Sequence, residues 1–236
     1  MNLQHPNKAP LFTDSSLNCV VELTNAGKRF NRDWIFRKVN YRFTTGKAYA
    51  ITGPNGSGKS TLLQAIAGSL YLSEGTIAYK MQEQENENRQ SEAGQSAAIA
   101  PEKIFQQISI AAPYLELIEE MTAREFLFFH QQFKSILSAV SIEEIVQMIG
   151  LEKSIDKQIR YFSSGMKQRI KLAQAIFSDT PVLLLDEPCT NLDKSGYDLY
   201  HSLIENYCSS KLIIVSSNDP NEMDFCTEKL SMVDFK

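Results

Sequence analysis

Residues 53–61, Gly-Pro-Asn-Gly-Ser-Gly-Lys-Ser-Thr, concentrate the most recognisable chemistry of this chain in one short loop. Gly53, Gly56 and Gly58 let the backbone wrap closely around an anion, so that consecutive N–H groups point inward at the start of a helix expected over 59–67. The spacing Gly53-x4-Gly58-Lys59-Ser60 is the Walker A pattern, in which Lys59 reaches the β- and γ-phosphates of a nucleotide and the Ser60 hydroxyl ligates Mg²⁺. Pro54, Asn55, Ser57 and Thr61 complete the cradle expected to close around ATP. An apolar stretch over 48–52 leads into the loop and Gly68 ends the helix, which is the strand–loop–helix context this motif needs.

Two later stretches carry matching chemistry. The run Val182-Leu-Leu-Leu-Asp-Glu-Pro188 is an apolar strand of the kind buried on both faces of a parallel sheet, and it ends in two carboxylates. Asp186 is placed to hold Mg²⁺ beside Ser60, and Glu187 lies one residue further toward the phosphate. Upstream of that run, Tyr161-Phe-Ser-Ser-Gly-Met-Lys-Gln-Arg169 opens a helix that Ser163 or Ser164 can cap, turning its free N–H groups and dipole toward an anion. Phe30, Trp34 and Phe36 precede the cradle. Either Phe30 or Trp34 offers a ring for the flat face of adenine, and packing in a core or hairpin is the alternative for all three.

The elements that must position these residues follow from hydrophobic period. A strand is expected near 18–23, and the alternation over 38–43 predicts a half-exposed strand that turns at Gly46 into the strand 48–52. Another strand is expected at 76–79. The polar stretch that follows, about 82–101, lacks the apolar surface to offset the entropy of ordering it and is expected to be a flexible insertion. From Tyr114 to Phe177 the pattern becomes helical, and Phe126-Leu-Phe-Phe-His-Gln-Gln-Phe133 is expected to be a packed helical face. A last buried strand over 211–215 leads into Ser216-Ser-Asn-Asp-Pro220, a polar turn.

At 236 residues, one folding unit with a full-sized apolar interior is expected. A net charge of -4, without a basic stripe or arm, argues against nucleic acid as a partner. Cys19, Cys189, Cys208 and Cys226 have no metal-site spacing, so they are expected to be free thiols in a reducing cytosol. With neither a leader pattern at the start nor an apolar run approaching the ~18 residues of a membrane span, any membrane role is expected to depend on another chain.

Taken together, Gly-Pro-Asn-Gly-Ser-Gly-Lys-Ser-Thr at 53–61, Phe-Ser-Ser-Gly-Met at 162–166, Leu-Leu-Leu-Asp-Glu-Pro at 183–188 and Thr-Asn-Leu-Asp at 190–193 resemble the ATP-binding subunit of an ABC transporter. The likeness runs from about residue 19 to the C-terminus. It implies an α/β fold: a P-loop NTPase core of mostly parallel sheet, about 18–113 and 180–236, with an antiparallel N-terminal β subdomain and an inserted helical subdomain, about 114–179. It also implies a head-to-tail dimer, homomeric or heteromeric, with two ATP molecules between subunits. Each ATP would lie on 53–61 of one subunit under Ser163–Gly165 of the other, with Glu187 polarising the attacking water and Asp193 at the seam. A separate membrane-spanning chain, docked within about 104–135, would be driven by that cycle in efflux or export from the cytoplasmic face.

Three departures qualify the resemblance. Ser164 and Met166 replace a glycine and a glutamine of the family's Leu-Ser-Gly-Gly-Gln signature, while Ser163 and Gly165 match it. A family glutamine that contacts Mg²⁺ aligns with Pro113 or Tyr114, since Gln106 and Gln107 come too early. A family histidine near the γ-phosphate aligns with Asn218, which donates a neutral hydrogen bond but carries no proton or charge. Slowed turnover with retained ATP binding is expected. A nucleotide-gated module with little hydrolysis and a soluble ABC-type ATPase outside transport are the alternatives.

Overall fold

The computed structural model of the chain describes residues 17–83 and 97–236. Two sheets organise it. Strands β1 (Leu17–Phe30), β2 (Asp33–Thr44), β4 (Glu74–Glu83) and β5 (Ala97–Ala98) form an antiparallel sheet in the order β2-β1-β4-β5. Strands β3 (Ala48–Thr52), β6 (Ile108–Ala111), β7 (Val182–Asp186), β8 (Leu212–Ser216) and β9 (Glu228–Ser231) form a parallel sheet in the order β6-β7-β8-β3-β9.

Every residue of β7 and β8 is buried, and the two-residue period of a strand divides them between two cores. Val182, Leu184, Leu212 and Ile214 face the antiparallel sheet, packing with Val21, Leu23, Phe36, Val39 and Phe43. Helix α1 (Lys59–Ile66) adds Leu62, Leu63 and Ile66 to this layer. Leu183, Leu185, Ile213 and Val215 face the other way, toward helices α5 (Ser164–Ile176) and α6 (Lys194–Tyr207) and the shorter α3 (Ala123–Gln131) and α4 (Ile142–Met148). Between α1 and β6 lies the one-turn α2 (Ile104–Gln107).

Capping explains where the helices begin. Thr122 and Ser141 each form a full capping box, with Glu125 and Glu144 respectively, and so start α3 and α4. Ser163 caps α5 by accepting from the Met166 N–H at 3.3 Å, which resolves the choice between Ser163 and Ser164. Asp193 caps α6.

Several expectations are corrected. The helical pattern expected from Tyr114 begins as an irregular segment that carries Leu115, Leu117 and Ile118, and the first helix there starts at Ala123. The stretch 126–133 is only half packed: Phe126 and Leu127 are buried, whereas Phe128 is 57% exposed and Phe129 and Phe133 are exposed beside it. A nine-residue helix seated on a core by one stripe cannot bury aromatic residues all round its axis. Most of the expected insertion at 82–101, residues 84–96, lies outside the described residues. At its margins β4 continues to Glu83, and Ala97 and Ala98 pair with Met81 and Lys80.

Candidate functional site

Parallel strands end on one edge of their sheet, and here four of those ends carry the residues singled out by sequence. From β3 the chain enters the glycine loop, from β7 it reaches Glu187, from β8 it reaches Asn218, and from β6 it reaches Pro113 and Tyr114. Strand β8 separates β7 from β3, with Asp186 opposite Ser216 and Ser216 opposite Ile51. Two strand spacings put the ends of β7 and β3 about 10 Å apart, enough to admit a phosphate and a cation between them.

The loop after β3 is built to expose its N–H groups. Gly53, Gly56 and Gly58 have φ of 142°, 76° and 102°. A methyl group on Gly58 would sit 2.6 Å from Ile35 Cγ2 of β2, so the hairpin β1–β2 presses directly on the loop. Helix α1 starts at Gly58 without a side-chain cap and without an acidic residue in its first turn, which leaves its N-terminal donors and dipole open to an anion. Ser57 N–H closes the turn onto the Pro54 carbonyl at 3.0 Å. Lys59 is 5% exposed, and its Nζ folds back to donate to the carbonyls of Gly53 at 2.8 Å and Pro54 at 3.5 Å. Ser60 and Thr61 follow in the first turn, both partly buried.

Asp186 is 1% exposed, and its Oδ1 has no hydrogen-bond partner among the described residues; the hydroxyls of Ser57 and Ser216 share that condition. A buried carboxylate oxygen left without a partner is costly, and a bound cation would offset that cost. Its chemistry and its place at the sheet edge therefore fit Mg²⁺ held with Ser60. Glu187 is exposed and stands in the left-handed region at φ 43°, anchored by its N–H to the Ser216 carbonyl at 2.9 Å and by its carbonyl to the Thr190 N–H at 3.1 Å.

Asn218 comes to the loop, its Nδ2 donating to Asn55 Oδ1 at 3.0 Å. Tyr114 approaches the same edge from β6. Partial burial, with a contribution from the nearby Asp186 carboxylate, pushes its pKa up to about 12, while a hydrogen bond to Gln64 of α1 works the other way. Phe36 is fully buried in the core, which removes it as a base-stacking candidate. Trp34 is covered by Arg37 at 4.0 Å, and Phe30 is 47% exposed at the hairpin end with the Lys28 ammonium over its ring. Of the two rings, Phe30 keeps more of its face open.

Ser163 and Gly165 lie at the start of α5. A methyl group on Gly165 would meet the Asn191 carbonyl at 3.1 Å, which ties this turn to the segment after β7. Asp193 accepts from the Ser195 hydroxyl at 2.8 Å and the Gly196 N–H at 2.9 Å, and these bonds hold its pKa below the usual value. Two buried residues escaped sequence reasoning. Gln168 donates to the Pro188 carbonyl, and Glu222 accepts from the Cys189 N–H. A polar turn and a helix face gave no sign that their side chains point inward. The four cysteines are unpaired, and burial raises the pKa of every thiol.

A glycine loop on a bare helix N-terminus, facing a buried acid across one strand of a parallel sheet, defines a P-loop nucleotide-binding ATPase. A family model described as ABC transporter matches residues 36–190, and the chain belongs to that family as an ATP-binding subunit. Members of the family are ATPases that bind ATP, generally with Mg²⁺. The chain is 27% identical over 215 residues to an uncharacterized ABC transporter ATP-binding protein, YybJ, of Bacillus subtilis, covering 90% of this chain and 92% of that protein. It is 30% identical over 192 residues to the cytochrome c biogenesis ATP-binding export protein CcmA of Rhizobium johnstonii, covering 80% and 83%. Among solved structures, a putative ABC transporter ATP-binding protein from Pyrococcus furiosus shares the fold at a TM-score of 0.72 and 19% identity, over 92% of this chain and 99% of that one. A bacterial Atm1-family ABC exporter with ATP bound gives 0.74 at 18% identity, over 97% of this chain and 39% of that one.

Proposed function

We propose that the chain binds ATP with Mg²⁺ on residues 53–61, closes head to tail on a second ABC subunit, and hydrolyses ATP to drive a separate membrane-spanning chain in export. The observation that carries this reading is the uncapped N-terminus of α1 together with Asp186, whose buried Oδ1 has no hydrogen-bond partner among the described residues. In the first steps the loop N–H groups and the Lys59 ammonium hold the β- and γ-phosphates, and Phe30 packs on the base. Ser60 and Asp186 would hold Mg²⁺, whose charge would offset the negative charge that develops on the phosphate oxygens.

Glu187 then orients the attacking water, and Asn218 donates a neutral hydrogen bond to a γ-phosphate oxygen. From the second subunit, the Ser163 hydroxyl and the N–H groups near Gly165 cover the nucleotide and exclude bulk water. Because neither Tyr114 nor Pro113 offers the amide of a glutamine, and Asn218 carries no positive charge, turnover is slow relative to nucleotide binding.

The membrane chain docks beside the helical subdomain, within about 104–135. Support comes from exposed Phe128, Phe129 and Phe133 and from a cavity of about 490 Å³ between α3 and α4, lined by Arg124, Glu125, Phe128, Gln131, Ile142 and Glu143. Among the described residues no helix is long and apolar enough to cross a membrane, which fits a subunit bound peripherally on the cytoplasmic face. Export is favoured because curated relatives carry that word in their names, among them the Nod factor export ATP-binding protein I of Sinorhizobium fredii, 25% identical over 98% of this chain and 64% of that protein.

The test is Mg²⁺-dependent phosphate release from ATP by the full chain and by Glu187→Gln. Release that disappears in the variant, with ATP still bound, is the expected result. Equal release from both would remove Glu187 from the reaction. No release from either, with ATP bound, would favour a nucleotide-gated module, the reading that Asn218 and Tyr114 would then carry.

A further inference from the structure

Glu187 occupies a left-handed backbone conformation that a side chain with a Cβ adopts only under strain, so its surroundings must over-determine it. Its own N–H and carbonyl supply two anchors, to Ser216 and Thr190. The next peptide, joining Pro188 to Cys189, is held on both edges. Its carbonyl accepts from Gln168 Nε2 at 2.7 Å and its N–H donates to Glu222 Oε1 at 2.7 Å. A trans peptide points these groups in opposite directions, so the two side chains grip it from opposite sides.

Both side chains are buried, Gln168 at 3% and Glu222 at 4% exposure. Burying an amide and a carboxylate is costly unless each is satisfied. Glu222 divides its oxygens: Oε1 takes the Cys189 N–H, and Oε2 accepts from the Ser217 hydroxyl. Ser217 precedes Asn218, whose amide reaches Asn55 in the glycine loop. The fully buried Tyr200 holds the Glu222 carbonyl at 2.9 Å. On the other side, Gln168 sits on α5, whose first turn carries the Ser163 cap and Gly165.

We propose that Gln168 and Glu222 are positioning residues that clamp the Pro188–Cys189 peptide, fix Glu187 in its reactive orientation, and tie it to α5 and to the Asn218 turn. The clamp rests on the assignment of Glu187 as the group that orients water. Through it, a shift of α5 when the signature turn engages a second subunit reaches Glu187 by one hydrogen bond.

The test compares Gln168→Leu, Glu222→Ala and the isosteric Glu222→Gln in the full chain, by Mg²⁺ATP hydrolysis, titration with a fluorescent ATP analogue, and amide exchange at Cys189. Loss of either grip lowers kcat by about 100-fold, the scale of a misplaced catalytic group, with KM and nucleotide affinity nearly unchanged. Glu222→Gln, whose carbonyl still accepts from Cys189, restores most of the rate. In a Glu187→Gln background neither loss has a further effect. Gln168→Leu also speeds exchange of the Cys189 amide, which it does not touch, even if the isolated chain turns over too slowly to rank the variants. Unchanged kcat in Gln168→Leu and Glu222→Ala while Glu187→Gln is inactive would overturn the clamp alone, as would unaltered Cys189 exchange in Gln168→Leu. A fall in affinity and thermal stability that accounts for the lost rate would reduce both residues to structural ones. Parental rate in Glu187→Gln would remove the base assignment itself.

Discussion

Gly58→Ala tests how the antiparallel sheet shapes the phosphate loop. The added methyl would lie 2.6 Å from Ile35 Cγ2, about 1 Å inside the 3.5–4.0 Å at which carbon atoms attract. Ile35 cannot retreat far, because its neighbour Phe36 is fully buried and fixes β2 on the core. Overpacking of this kind costs ~1–3 kcal/mol, and an alanine at φ 102° adds ~1–3 kcal/mol of backbone strain. The variant is therefore expected to lose about 3 kcal/mol, roughly 6–12 °C in Tm for a chain of this size. ATP affinity falls with it, since relief of the clash moves the first N–H groups of α1.

Thermal unfolding with and without MgATP reads both effects, and a double-mutant cycle separates their causes. Ile35→Ala removes Cγ2, so in that background Gly58→Ala retains only the backbone term, giving a coupling of about 1–2 kcal/mol. Gly58→Ala within about 0.5 kcal/mol of the parent and with parental ATP affinity would refute the packing argument. Strict additivity with Ile35→Ala would refute the assignment to Ile35.

Lys59→Ala removes the ammonium that holds the phosphates, and a charge-assisted hydrogen bond is worth about 1.5–3 kcal/mol, so ATP affinity drops about 10- to 100-fold by equilibrium titration; the Tm without nucleotide falls as well, because the bond to the Gly53 carbonyl is lost. Ser163→Ala loses the α5 cap, about 1 kcal/mol by denaturant unfolding, and weakens ATP-driven dimerisation measured by light scattering, leaving nucleotide binding to the monomer intact. His130, hydrogen-bonded to Ser178 at 2.8 Å, has its pKa lowered from 6.5 to about 4, chiefly by burial and then by Lys134. The unfolded chain binds that proton more readily, so His130 contributes its stability fully above pH 6.5. That contribution is lost as pH falls toward 4, by up to about 3 kcal/mol. His130→Gln is expected to flatten this part of the stability profile, and an unchanged slope would contradict the placement.

Much of the site was legible because its chemistry depends on neighbours in sequence. The loop 53–61 needs glycines at positions where φ is positive and a lysine and hydroxyl at the helix start, and residues closer than one helical turn report that directly. The strands 48–52 and 182–186 were equally plain, since burial on both faces leaves an unbroken apolar run. Helix α6, strand β6 and strand β9 were not anticipated. β6 and β9 are only four residues each, too short for periodicity to speak.

The sequence by itself determined the glycine loop, the acidic strand end and the capped start of α5, because each is a local constraint on backbone or burial. Only the tertiary structure decided which distant side chains meet there. Gln168 and Glu222 converge on one peptide, Asn218 reaches Asn55, and Phe128 is left exposed while Phe126 is buried. Polar residues read alike on a surface and in a core until packing removes the water around them, and that removal is a property of the whole fold.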